Sequence, residues 1–224
     1  MLEAIAQRFQ GSCMMVMRRQ GNEAAFLGSS FLVHSQGYLL TTARAVADDG
    51  DLFVVPPDWT QPFAAVTHDE VAPVPVEVVA RDVPHDVALL KLVPELDIKM
   101  PDEVLGSAES DPRGTPLMSL GVPFGYYRIH TVIAAQSILA GRITSRSDTR
   151  LIIFDRRIQF GDIGGPLVSS TGAKVIGVVG GVFDPVELEG LSPSEGVSLQ
   201  SNLSFAMDIE YGAALLRQAL AGKQ

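Results

Sequence analysis

The chain has 224 residues, 46% of them hydrophobic and 19% charged, a balance that suits one large domain or two small barrels sharing a core. Its 21 glycines and 14 prolines favour many turns and short strands over a helical bundle. A formal net charge of −9 argues against a nucleic-acid or anionic-membrane partner, and the single cysteine, Cys13, excludes an internal disulfide.

Residues 2–9 read as a short amphipathic helix, with Leu2, Ile5, Ala6 and Phe9 at helical spacing. This stretch lacks the basic start and long apolar core of a secretion signal. No apolar stretch reaches the roughly 18–20 residues of a membrane span, so no membrane insertion is expected. Two compartments stay open: the cytoplasm if Met1 is the native start, the periplasm if a leader has been removed. Cys13 lies in the apolar run Ser12-Cys13-Met14-Met15-Val16-Met17 and is expected to be a packed thiol rather than a nucleophile.

From residue 12 onward short apolar runs alternate with turn signals. Runs at 13–17 and 25–33 flank Gln20-Gly21-Asn22, a hairpin signal. Further strands are expected at 37–41, 51–55, 76–80 and 87–92, with a loop at 56–59. About six strands suffice for one small barrel. Residues 93–113 are rich in turn formers and read as a linker. A second set of strands is expected at 115–121, 129–145, 151–154, 166–169, 174–182 and 203–207. Residues 210–221 read as a closing helix with Ala213, Leu216 and Leu220 on one face. The expectation is a single domain over 1–224, with sub-barrels at 11–95 and 113–208 between helices at 2–9 and 210–221. The polar stretch 184–201, carrying Glu187, Glu189 and Glu195, is long for a hairpin connection. It reads as a solvated excursion or as a functional loop.

The most informative segment is Gly161-Asp162-Ile163-Gly164-Gly165-Pro166. It has the shape of the Gly-Asp-Ser-Gly-Gly-Pro loop of trypsin-like serine proteases, with isoleucine where that loop carries its nucleophile. Three separated segments resemble the triad-bearing segments of the HtrA (Deg) branch of those proteases. The first runs from Gly28-Ser29-Ser30-Phe31 through Gly37-Tyr38 to Thr41-Thr42-Ala43-Arg44, where the family writes Thr-x-Ala-His. The second, His85-Asp86-Val87-Ala88-Leu89-Leu90-Lys91, resembles Asp-Leu-Ala-Leu-Leu-Lys and matches Asp86 to the triad aspartate. The third, from Asp155 to Val168, resembles Asp-Ala-Ala-Ile-Asn-x-Gly-Asn-Ser-Gly-Gly-Pro-Leu-Val without a gap. Gly121-Val122-Pro123-Phe124-Gly125 and Ser204-Phe205-Ala206-Met207 resemble two further strands of the family.

The resemblance implies an all-β fold of two six-stranded antiparallel barrels, the chymotrypsin type, with short N-terminal and C-terminal helices. It places degenerate triad positions at Arg44, Asp86 and Ile163, and the oxyanion loop at Gly161, Asp162 and Ile163. It puts Arg157 and Phe160 at the specificity pocket, and brings the loop carrying His130 toward the cleft. The helix at 2–9 resembles the segment through which HtrA proteins trimerise, so a homo-oligomer is implied by resemblance alone. The family's peptide-binding PDZ domain would begin where this chain stops. A lone cysteine fits bacterial relatives better than the disulfide-rich secreted trypsins of animals.

The two replacements strike different steps. Arginine, with a pKa above roughly 12, cannot take a proton at physiological pH. Isoleucine has no oxygen with which to attack, and its branched side chain tends to fill the space where a carbonyl carbon must sit. Asp86 needs a partner if buried, and Arg44 can supply one as an ion pair. The alternative is an Arg44 simply exposed at the barrel junction. Arg156-Arg157 reads either as strand residues that alternate in direction, so that at least one is solvated, or as an altered or filled pocket that meets an acidic ligand. Among the histidines, His85 should face away from the cleft because consecutive strand residues alternate. His34 falls at a strand end, His68 in an acidic loop, and His130 is the one spare histidine to watch. No metal-ligand spacing is visible, and neither a metal nor a cofactor is expected.

The leading expectation is a pseudoprotease that binds a protein or an extended peptide, the cleft capturing the peptide by strand addition. A second is a hydrolase with a non-standard site. Ser169, Ser170 and Thr171 would be its nucleophiles, although they lie past the loop, away from the oxyanion N–H groups. A third is a metal or small-ligand site in the vacated cleft, built from residues such as His130 and Asp86.

Overall fold

Short β-branched and apolar runs punctuated by glycine carry most of this chain into strands. A computed structural model describes residues 2–21, 23–48, 50–57, 72–101, 103–186, 190 and 201–222. After helix α1 (Leu2–Phe9) come β1 (Cys13–Gln20), β2 (Glu23–His34), β3 (Tyr38–Thr41), β4 (Leu52–Val55), β5 (Val74–Asp82) and β6 (Val87–Leu92). They close into an antiparallel barrel in the order β1-β2-β3-β6-β5-β4. A second closed barrel, β10-β11-β12-β9-β8-β7, is built from β7 (Pro116–Gly121), β8 (Ile133–Thr144), β9 (Arg150–Phe154), β10 (Pro166–Ser169), β11 (Lys174–Val182) and β12 (Ser204–Asp208). Helix α2 (Ile209–Ala221) follows. The all-β architecture of two six-stranded barrels with two helices is the one expected from the resemblance.

Each barrel fills its own interior. Val16, Leu39, Ala88 and Leu90 are buried in the first, and Leu117, Phe154, Leu167 and Val179 in the second. A third cluster joins the barrels to each other and to both helices. It takes Ile5 and Phe9 from α1, Phe31, Leu40 and Leu89 from the first barrel, Leu120, Ile153 and Val178 from the second, and Leu215 and Leu216 from α2. Burying these faces against one another holds the two barrels at a fixed angle and so fixes the cleft between them.

Helix α2 begins where Asp208 accepts the Glu210 N–H at 3.0 Å, an N-cap that satisfies one of the orphan donors of the first turn. Its Gly212 passes so close to β3 that a Cβ there would lie 2.4 Å from Leu40 Cδ1.

Three local expectations change. The strand expected from 129 starts at Ile133, because Gly125–Tyr127 forms a 3-10 turn and Arg128 adopts φ 61°. His85 and Asp86 are not consecutive strand residues. They lie in the turn between β5 and β6, with Asp86 at φ 53°, so strand alternation does not orient them. His85 instead bonds Asp82 at 2.8 Å and stacks on Tyr211 of α2, centroids 3.9 Å apart. Nor are Arg156 and Arg157 a strand pair, since β9 ends at Phe154. His68, half of the loop at 56–59 and most of 184–201 fall outside the described residues.

Candidate functional site

The loop between β9 and β10 is shaped by glycines and by one buried carboxylate. Phe160–Asp162 makes a single 3-10 turn. The Gln159 N–H donates to Asp162 Oδ2 at 3.0 Å, and the Asp162 N–H donates to the Gln159 carbonyl at 3.0 Å. Asp162 is 1% exposed. Burial pushes its carboxyl above the ordinary value, opposed by the Gln159 N–H and by Arg156, whose guanidinium stands 3.4 Å away. Its other oxygen, Oδ1, has no hydrogen-bond partner among the described residues. Arg156 therefore turns inward, while its neighbour Arg157 is exposed.

The first barrel holds this loop through β2. Ser29 Oγ donates to the Gly161 carbonyl at 2.7 Å and accepts the Val122 N–H at 3.0 Å. The Ser29 N–H donates to the Ile163 carbonyl at 2.8 Å. Gly164 adopts φ 88°, and a Cβ on it would lie 2.1 Å from the Ser29 carbonyl oxygen, so no other residue fits there. Sequence reading noticed Ser29 only as part of a resembling segment. Its role as a buried anchor rests on a contact 132 residues away in the chain, which no local pattern encodes.

Arg44 opens the 3-10 turn Arg44–Val46 that follows β3, which brings it over the β5–β6 turn. Its backbone N–H donates to Asp86 Oδ1 at 2.9 Å, and its guanidinium pairs with Oδ2 at 2.7 Å. The same guanidinium donates to the Gly180 carbonyl of β11. One side chain thus spans from the first barrel to the second. Its target is the residue at which the β11–β12 register slips between Val179 and Gly181. Burial raises the Asp86 carboxyl above its ordinary value, and the Arg44 charge, with the Arg44 and Ala43 N–H groups, pulls the other way. Burial wins because the Arg44 side chain is itself 52% exposed and its charge is partly screened.

Arg44, Ile163 and Gly180 line a cleft of about 770 Å³. Arg157, Phe160 and Tyr126 line it too. Phe160 and Tyr126 are 76% and 55% exposed, unusual for side chains of that size. The structure thus brings Arg44, Asp86, Ile163, Arg157 and Phe160 to one region. His130 is half-buried and is not among the cleft's lining residues, and Tyr126, from the same loop, supplies that wall instead. Ser169 is buried and donates to Asp111 Oδ2 at 2.5 Å, far from an attacking role. Among the described residues, no group of three or more His, Cys, Asp or Glu could hold a metal ion. Burial pushes the Cys13 thiol up to about 12, so it carries no thiolate at neutral pH.

Chemically, the three positions offer a carboxylate, a permanent cation paired to it and a hydrocarbon. A guanidinium donates five N–H bonds and accepts none. Of the three, Arg44 accepts no proton, Ile163 has no nucleophilic atom, and the Asp86 carboxylate is engaged by Arg44.

A family model described as "Trypsin-like peptidase domain" matches residues 28–178. A protein of Pseudomonas fulva named "Probable periplasmic serine endoprotease DegP-like" is 30% identical over 188 residues, 84% of this chain and 34% of that protein. "Magnetosome formation protease MamE" of Magnetospirillum gryphiswaldense is 25% identical over 188 residues, 81% of this chain and 22% of that one. The chain spans about a third or less of the length of these curated relatives. Among solved structures, "HtrA-type protease AlgW with tripeptide" superposes with a TM-score of 0.72 at 18% identity, covering 100% of this chain and 65% of that one.

Proposed function

Since the chain belongs to the trypsin-like peptidase domain family, of the HtrA type, we propose that it is a member without peptidase activity that serves as a binding or assembly module for a protein or extended peptide. The observation that carries this reading is the Arg44 guanidinium held between Asp86 and the Gly180 carbonyl. It occupies the place from which a base would act and cannot act as one. Ile163 removes the nucleophile independently, so restoring either residue alone restores nothing. In subtilisin, the reference case for such losses, deleting the serine or the histidine each costs about 10⁶ in kcat. The cleft remains open and lined by exposed aromatic side chains, a surface that suits capture rather than turnover.

The test is incubation with fluorescent casein and with a fluorophosphonate probe. No turnover and no labelling, together with saturable binding of an unstructured peptide, is the expected result. Clear casein turnover or specific labelling of a serine would overturn it. The names of the relatives, all called proteases, favour a second reading, hydrolysis through a non-standard site, and the same assay decides between them.

A further inference from the structure

Among the described residues, one cation at the cleft has no ion pair. Four arginines stand at or beside the cleft. Arg18 pairs with Asp48 at 2.9 Å, Arg44 with Asp86 at 2.7 Å, and Arg156 turns inward to Asp162 at 3.4 Å. Arg157 lines the cleft, is exposed, and has no ion pair among the described residues. Its chain position explains this. Residues 155–159 leave β9 as irregular backbone, so the two adjacent arginines point apart, one into the loop's support and one into the groove. Asp184, which also lines the cleft, accepts the Val186 N–H at 2.8 Å.

Phe160 and Tyr126, both largely exposed, line the same cleft as Arg157. Tyr126 is held in place by an edge-on contact with Phe26, centroids 4.9 Å apart. Arginine and aromatic side chains are the types enriched at the hot spots of protein interfaces. The guanidinium fork is suited to two parallel bonds with a planar carboxylate. A chain whose net charge is −9 would repel acidic ligands elsewhere on its surface, which makes a local cation in a groove a selective feature rather than a general attraction.

We propose that the cleft selects a peptide carrying a carboxylate, which Arg157 engages while a neighbouring apolar side chain packs on Phe160 and Tyr126. This rests on the peptide-binding reading above. The carboxylate can come from a Glu or Asp side chain or from a chain terminus, and the chemistry at Arg157 is the same.

Fluorescence anisotropy on the full chain tests it with labelled peptides of one sequence, each containing a central Phe. One carries Glu with an amidated end, one carries Gln with an amidated end, and one carries Gln with a free terminal carboxylate. The Glu peptide or the free-carboxylate peptide should bind roughly tenfold tighter than the amidated Gln peptide, and which of them does so identifies the source. Arg157→Gln should erase that difference, whereas Arg157→Lys should keep part of it. Arg157 is exposed, so neither variant threatens folding, and thermal melting verifies this. Equal binding of all three peptides, or an Arg157→Gln variant that still discriminates, overturns the carboxylate assignment and leaves peptide binding standing. Failure of every peptide to bind overturns both.

Discussion

The Ile163 backbone N–H donates to the Phe160 carbonyl at 3.2 Å. In a working acyl-transfer site an N–H at this position would face the cleft and stabilise the negative oxygen of the transition state. Here the 3-10 turn of Phe160–Asp162 has turned it back into the loop. The departure from such a site therefore extends from side chains to backbone. Arg44→His and Ile163→Ser singly should stay at background in fluorophosphonate labelling. The pair together should label. Its casein turnover should remain about 10²–10³-fold below that of a site with both N–H donors free, the known cost of losing one donor. Labelling by either single variant, or unimpaired turnover by the pair, would show that the loop reopens without difficulty.

Arg44 and Asp86 support one another across the barrel junction, and their coupling is measurable. Arg44→Ala leaves Asp86 with a carboxylate that burial already disfavours. The loss should be about 1–2 kcal/mol, less than for a fully buried pair because Arg44 is half exposed. Asp86→Asn should cost less than Arg44→Ala, since it removes the charge and keeps an oxygen to accept the Arg44 N–H. Adding Asp86→Asn to Arg44→Ala should recover stability. A double-mutant cycle by urea denaturation measures this, and strict additivity of the two changes would show that the pair is not coupled.

Asp162 makes stability depend on pH in a stated direction. Its carboxyl titrates above the ordinary value of about 4 when folded, so the folded chain holds that proton more tightly than the unfolded chain. The contribution of this group is greatest below the ordinary value and is lost as pH rises through the raised one. Asp162→Asn removes the charge, keeps an acceptor for the Gln159 N–H, and abolishes that dependence. The difference in Tm between variant and parent should be small or negative near pH 3 and should move in favour of the variant toward about pH 8. A difference that stays constant with pH would remove Asp162 as the cause.

Much of this was legible in the sequence because it is local. Gly161 to Pro166 states its own loop, and twelve short apolar runs between turn formers state two barrels. The Arg44–Asp86 pair could be anticipated, since a charge that loses its histidine needs another partner. What escaped was set by backbone conformation or by long-range contact. Asp86 takes a left-handed conformation in a turn, so alternation could not orient its neighbour His85. Strand counting placed Arg156 and Arg157 on opposite faces for a reason that does not apply, because the strand had already ended. His130 resembled a cleft residue by its distance from Phe124-Gly125. The left-handed Arg128 turns the chain before it arrives, leaving Tyr126 at the wall. The second target of Arg44, the Gly180 carbonyl, is a backbone atom exposed by a register slip and has no signature in side chains.

The junction of the barrels depends on Ser29 and Gly164, and two kinds of change separate hydrogen bonding from close approach. Ser29→Ala strands the buried Gly161 carbonyl and Val122 N–H together, at about 2–4 kcal/mol. For a chain of this length that is a fall in Tm of roughly 5–15 °C. Gly164→Ala meets two penalties at once, a left-handed φ of 88° and a Cβ at 2.1 Å from the Ser29 carbonyl oxygen. Gly172 provides the control, because its φ is also positive at 71° while its nearest neighbour, Lys174 Cγ, lies 4.0 Å from a built Cβ. Gly172→Ala should therefore cost only about 1 kcal/mol of backbone strain. Gly164→Ala should cost several times more or prevent folding, since backbone on both sides must move. Urea midpoints for the two variants that fell within error of each other would mean that the close contact between Gly164 and Ser29 contributes nothing beyond strain.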